Sequence, residues 1–264
     1  MPAHPVLSNV WRASELAPAT SATVASGHAL LDAELPAGGW PLAALIELLV
    51  ADARAPWSSL LLPALVSHAS RQGGVLALLD PPFVPHVPAL VAAGLPVSRL
   101  LWLRGASAAD ASWLAGQAAG CADVAAVLAW LPRARTAHLR RLHVMARRRS
   151  RLLLFVFLDA TGPAAAAPSC APLRLALQCA RESLHGNGAM PRLRVDILRR
   201  RGPPLEQPLW LPAHNAALQA LLDSKADASA GSPGCAGANV LAFPQERGGN
   251  HAGGHALDRF AMAG

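Results

Sequence analysis

The sequence predicts an α/β fold, a mostly parallel sheet between helices with antiparallel strands added near its C-terminal end. Apolar runs such as GVLALLD, DVAAVLAWLP and RLLLFVFLD are continuous rather than alternating, the pattern of strands covered on both faces. Segments with helical periodicity separate them, which suits parallel strands joined by crossovers. Past residue 172 the helical pattern gives way to PLRLALQCA, MPRLRVDILRRRG and EQPLWLP, strands linked by turns.

Residues 1–25 read as a Pro/Ala/Ser/Thr-rich flexible arm with one anchor-like piece, VWRASEL, in which Trp11 could dock in a partner's groove or fold back on its own core. The Gly/Pro-rich turn PAGGWP launches a strand over 42–51. A helix is expected over 58–71, distorted or delayed by Pro63. A strand over 74–80, a helix over 84–94 and a strand over 98–105 follow. Then come a helix over 108–121, a strand over 123–132, a basic helix over 136–150 and a strand over 151–159. The folded domain is expected to span 26–222. Residues 223–264 are low-complexity and read as a disordered tail, too poor in apolar area to offset their ordering entropy.

Of 264 residues, 53% are hydrophobic and 15% charged, enough to build a substantial core. Net charge is +7, carried almost wholly by arginine, which allows attraction to nucleic acid or an acidic partner. Tyrosine is absent and aromatics make up 5%, so base-stacking platforms are few. Cys121, Cys170, Cys179 and Cys235 show no metal or disulfide spacing and read as reduced, mostly buried thiols of a cytoplasmic protein. No apolar run reaches the roughly 18 residues of a membrane span.

The segment SGHALLDAELPAGGWP (26–41), followed by Leu45-Ile-Glu47, resembles the start of the ATPase core of RecA recombinases. VWRASEL, that same segment, ELL and LLLPAL together resemble the ImuA family, also described as SulA-like or RecA-like and found beside the ImuB polymerase-like protein in bacterial damage-response cassettes. The similarity spans residues 6–222, with the later strands matched by pattern. It implies a RecA-like core whose phosphate-binding loop falls between the strand at 42–51 and the helix at 58–71. A working loop needs G-x-x-x-x-G-K-[ST], glycines to bring amides to phosphate, lysine for charge and a hydroxyl for magnesium. Here the second glycine falls on Pro56 and the lysine on Trp57, and only Ser58 keeps its group. By the same resemblance, the water-activating glutamate falls on Pro82 and the metal-binding aspartate on Leu128.

Three losses in one site lead to the expectation of no bound cofactor, no metal and no catalysis. The connections that carry DNA-holding loops in recombinases are short here, at 132–137 and 160–172, so strand exchange is not expected. The implied function is a non-catalytic accessory role in SOS-induced translesion synthesis and mutagenesis. Its implied partners are ImuB, an error-prone C-family DNA polymerase and RecA. The alternative is a SulA-like inhibitor of the tubulin-like division protein. Arg140, Arg141, Arg147, Arg148, Arg149 and Arg151 surround the basic helix, and Arg199, Arg200 and Arg201 end a strand. Both groups suit either solvated surface or contact with a partner, and weak non-specific DNA binding would follow if they share a face. His138, His143, Asp159 and Asp196 show no ligand or catalytic pattern. Gln207-Pro-Leu-Trp-Leu211 is similar to clamp-binding peptides but falls where a last strand belongs.

Overall fold

The structure, a computed structural model, describes residues 22–52, 56–182 and 190–214. Trp11, Cys235 and the tail lie outside these residues. In chain order the elements are β1 (Thr23–Val24), α1 (Ala29–Glu34), β2 (Trp40–Pro41), β3 (Ala44–Val50), α2 (Trp57–Gln72) and β4 (Val75–Leu79). Next come α3 (Val87–Ala92), β5 (Leu100–Leu103), α4 (Ala108–Gly120), β6 (Val124–Trp130), α5 (Thr136–Arg147) and β7 (Leu153–Asp159). The last are α6 (Pro163–Ala166), β8 (Leu173–Glu182), β9 (Met190–Arg199) and β10 (Leu209–Pro212).

One eight-stranded sheet runs in the order β10-β9-β8-β3-β7-β6-β4-β5. From β8 to β5 every pairing is parallel, and β9 and β10 extend it antiparallel. The continuous apolar strands are buried on both faces, as their composition demands. Ile46, Leu48, Leu128, Phe155 and Phe157 face a core with α1 and α2. Leu45, Val127, Ala129, Leu154 and Val156 face a second core with α4 and α5. The mostly parallel sheet between helical layers therefore matches the expectation, and Leu209–Pro212 is indeed its last strand. The segment expected as arm ends in structure, since Thr23–Val24 pairs antiparallel with Trp40–Pro41.

Two local expectations are corrected. Pro63 neither shortens nor delays α2, which runs unbroken through it. A helix proline removes the N–H that would bond the carbonyl four residues back, here that of Ser59. His28 Nε2 lies 3.0 Å from Ser59 O and takes that donor's place. Gly27 makes the approach possible, because a Cβ there would stand 2.4 Å from the Pro63 side chain, and its φ of 85° also favours glycine. Ser26 N donates to Asp32 Oδ1 at 2.8 Å, tying the same turn to α1. SGHALLD is thus an architectural clasp on α2.

The second correction is that helices do not stop after β7, because Pro163–Ala166 forms α6. Its stability comes from the next strand. The Arg174 guanidinium donates to the carbonyls of Ala164, Ala165 and Ala167, groups a helix end leaves open.

Candidate functional site

The connection from β3 to α2 sits at the C-terminal edge of the parallel strands, where open α/β sheets bind ligands. Residues 53–55 of it are outside the described chain. α2 begins after Pro56, which offers no capping side chain, and Ser59 Oγ turns back to donate to Pro56 O at 2.8 Å. The Trp57 indole packs edge-on to Trp130, with centroids 5.5 Å apart and planes at 75°. Trp130 stacks flat on Phe157 at 4.2 Å. Trp130 closes β6 and Phe157 lies on β7, both on the face that α2 covers.

Three aromatic rings therefore fill the space below the head of α2. A phosphate would need converging N–H groups and a cation there. Leu128 is wholly buried within β6, and Trp130, two positions further along the same face, is the residue that reaches α2. Pro82 is exposed and lines a cleft of about 330 Å³ with Trp57, Ser58, Phe83, Leu90 and His214. The cleft can offer apolar contact.

The nearby carboxylates hold loops. Asp80 Oδ1 accepts from Gly105 N at 2.9 Å. Asp159 Oδ1 accepts from both the amide and the hydroxyl of Thr161, and these bonds hold its carboxyl below the usual range. Among the described residues no group of His, Cys, Asp and Glu could hold a metal ion.

The arginines divide by task. The Arg149 guanidinium donates to the carbonyls of Cys121, Ala122 and Val124, closing the end of α4. Arg200 pairs with Glu34 at 2.6 Å and so binds β9 to α1. Arg199 donates to Ser169 O. Arg140, Arg141, Arg147, Arg148, Arg151 and Arg201 are exposed. His143 Nδ1 accepts from Leu45 N at 3.3 Å, seating α5 over the start of β3, and burial pushes the imidazole below its ordinary value. Asp196 pairs with Arg194 at 3.0 Å.

One polar pair escaped sequence reasoning. Glu47 on β3 is fully buried and lies 3.3 Å from Arg174 on β8, itself buried. Burial pushes the Glu47 carboxyl above its usual range, while the neighbouring Ser169 hydroxyl, Arg174 and Arg199 pull it back. The signal was present as opposite charges inside two otherwise apolar strands, ALIELLV and LRLALQ. Among the described residues the expectation of mostly buried thiols is also corrected, since Cys121 and Cys179 are exposed and Cys170 is half-buried. Cys121 ends α4 at the N-terminal edge of the sheet and Cys179 lies late in β8, beyond the helices that cover its start.

No family model matches the chain, and no curated protein matches it. What the fold and the site define is a mixed α/β protein with a mostly parallel sheet and aromatic rings packed at the C-terminal edge of its parallel strands. Among the described residues no helix is long and apolar enough to cross a membrane.

Proposed function

We propose that this chain is a RecA-like protein that has given up nucleotide chemistry and acts by contact with other proteins. The reading is a non-catalytic, cytoplasmic accessory factor of SOS-induced translesion DNA synthesis and mutagenesis. It assembles with an ImuB-type polymerase-like protein and, through it, with an error-prone C-family DNA polymerase and RecA. The observation that carries this reading is the column of Trp57, Trp130 and Phe157 under the head of α2. A strand, a loop and a helix keep the layout of a phosphate site, while rings stand where its charge would be. The strand order supports it too. β3 lies between β7 and β8, and the chain crosses over β7 and β6 to reach β4, which makes the edge above β3 a switch point. The exposed side chains of Phe83, Val84, Val87 and Val91 beside the cleft supply apolar surface of the kind protein contacts use.

The test is co-purification with an ImuB-type protein expressed in the same cells. The full chain is expected to retain it. A variant lacking residues 1–21, which leaves β1 in place, is expected to lose it if the arm is the anchor. Failure of the full chain to retain the partner would overturn the reading.

A further inference from the structure

The sheet face that α4 and α5 cover, with α6 over the start of β8, runs out of helix beyond β8. Among the described residues no helix makes an extended contact with β9 or β10. α5 buries Leu139, Leu142 and Ala146, so Arg140, His143 and Arg147 form one flanking stripe. The His143 bond to Leu45 N fixes that stripe over β3. Glu47 on β3 pairs with Arg174 on β8, and Arg174 stands opposite Arg199 on β9. Two strand spacings put Arg199 about 10 Å from β3, within reach of the long side chains on the stripe. The electrostatics agree with this placement. Arg140 and Arg199 both act on the Cys170 thiol, and Arg147 and Arg201 both act on His143. All four arginines are exposed. Arg140, Arg147 and Arg201 have no carboxylate partner among the described residues, while Arg199 donates to Ser169 O and acts on the buried Glu47.

We propose that Arg140, Arg147, Arg199 and Arg201 form a binding face for single-stranded nucleic acid, held through its phosphates. Cations gathered beside a single carboxylate, one that Arg174 already pairs, repel one another until an anion is brought in, and the guanidinium fork matches phosphate geometry. Arg140 and Arg147 are separated by about 10 Å along α5, far enough apart to engage different phosphates of one strand. The face continues along β9 to Trp210 on β10, about 17 Å from Arg199 and on the side away from the α1 and α2 core. Asp196 on that path is already neutralised by Arg194. The Arg192 guanidinium lies over the half-buried Trp210 ring, 5.8 Å from its centroid, and unpaired bases could stack on this pair, which a duplex with inward bases cannot. The contacts carry no base-edge reading, so binding is without sequence preference. This face lies on the opposite side of the sheet from α2 and stands whether or not the translesion reading does.

The experiment is fluorescence anisotropy of the full chain with a labelled 20-nucleotide oligothymidylate across a salt series. The wild type is expected to bind with a steep salt dependence. Arg140→Ala/Arg147→Ala/Arg201→Ala should weaken binding at least about tenfold and flatten the log-log salt slope by about two, at about 0.7 for each lost phosphate contact. None of the three side chains makes a hydrogen bond or ion pair among the described residues, so thermal melting should be nearly unchanged. Arg141→Ala/Arg148→Ala, exposed arginines on the stripe facing α4, should bind within about twofold of wild type. Absent binding by the wild type, an unaffected triple variant, or equal loss in the double variant would overturn the proposal. So would equal affinity for a matching duplex, or equal competition by polyglutamate, which would assign the face to an acidic protein.

Discussion

Replacing Arg174 by alanine is expected to destabilise the fold by about 3–5 kcal/mol, the cost of leaving a buried charge unpaired. The residue does two things at once. It faces Glu47 inside the sheet at 3.3 Å, and it satisfies the carbonyls of Ala164, Ala165 and Ala167. Alanine strands both sets of groups. Because a kcal/mol shifts the melting temperature of a domain this size by about 2–4 °C, the variant should melt roughly 6–20 °C lower. Glu47→Gln should cost less, since burial already favours the uncharged carboxyl. Removing both charges together, as Glu47→Leu/Arg174→Met, should recover much of the loss in the sheet. It would not recover α6, whose carbonyls lose their donor either way. Thermal and urea melts of the four proteins check this ordering. An Arg174→Ala protein within about 1 kcal/mol of wild type would contradict it.

The second large effect is expected at Trp130. Its ring is nearly buried and touches aromatic neighbours on both sides, Trp57 and Phe157. Truncation to alanine removes the transfer energy of the ring and leaves a cavity, which together cost about 3–5 kcal/mol in a packed core. Trp57→Ala should cost distinctly less, because Trp57 is half-exposed and lines the cleft. Equilibrium unfolding in urea checks both. Equal costs at the two positions would mean that Trp57 is as deeply built in as Trp130 and that the cleft is not an open surface.

Much of the architecture could be read from the chain because parallel strands covered on both faces must be continuously apolar. VAAVLAW and LLFVFLD announce themselves in this way. What could not be read depends on contacts between distant residues. Pro63 looks like a breaker until His28, far back in the chain, satisfies the carbonyl it frees. PAAA carries no helix signal beyond an initial proline, and the donor that completes α6 comes from β8. Arg140 and Arg147 stand more than fifty positions before Arg199 and Arg201. The parallel pairing of β3 with β8 and the antiparallel return of β9 bring them beside α5. At the candidate site the sequence shows a tryptophan at position 57 where the resemblance implies a lysine, but the use of its ring was not legible. Only the fold shows Trp57 resting on Trp130.

The account turns on aromatic packing having displaced anion binding at the head of α2. Isothermal calorimetry of the purified full chain with magnesium-ATP tests this most directly. The expected result is no saturable heat at ligand concentrations up to about 1 mM, a bound on affinity near −4 kcal/mol. Saturable one-site binding in the micromolar range, lost on removing magnesium, would contradict the account.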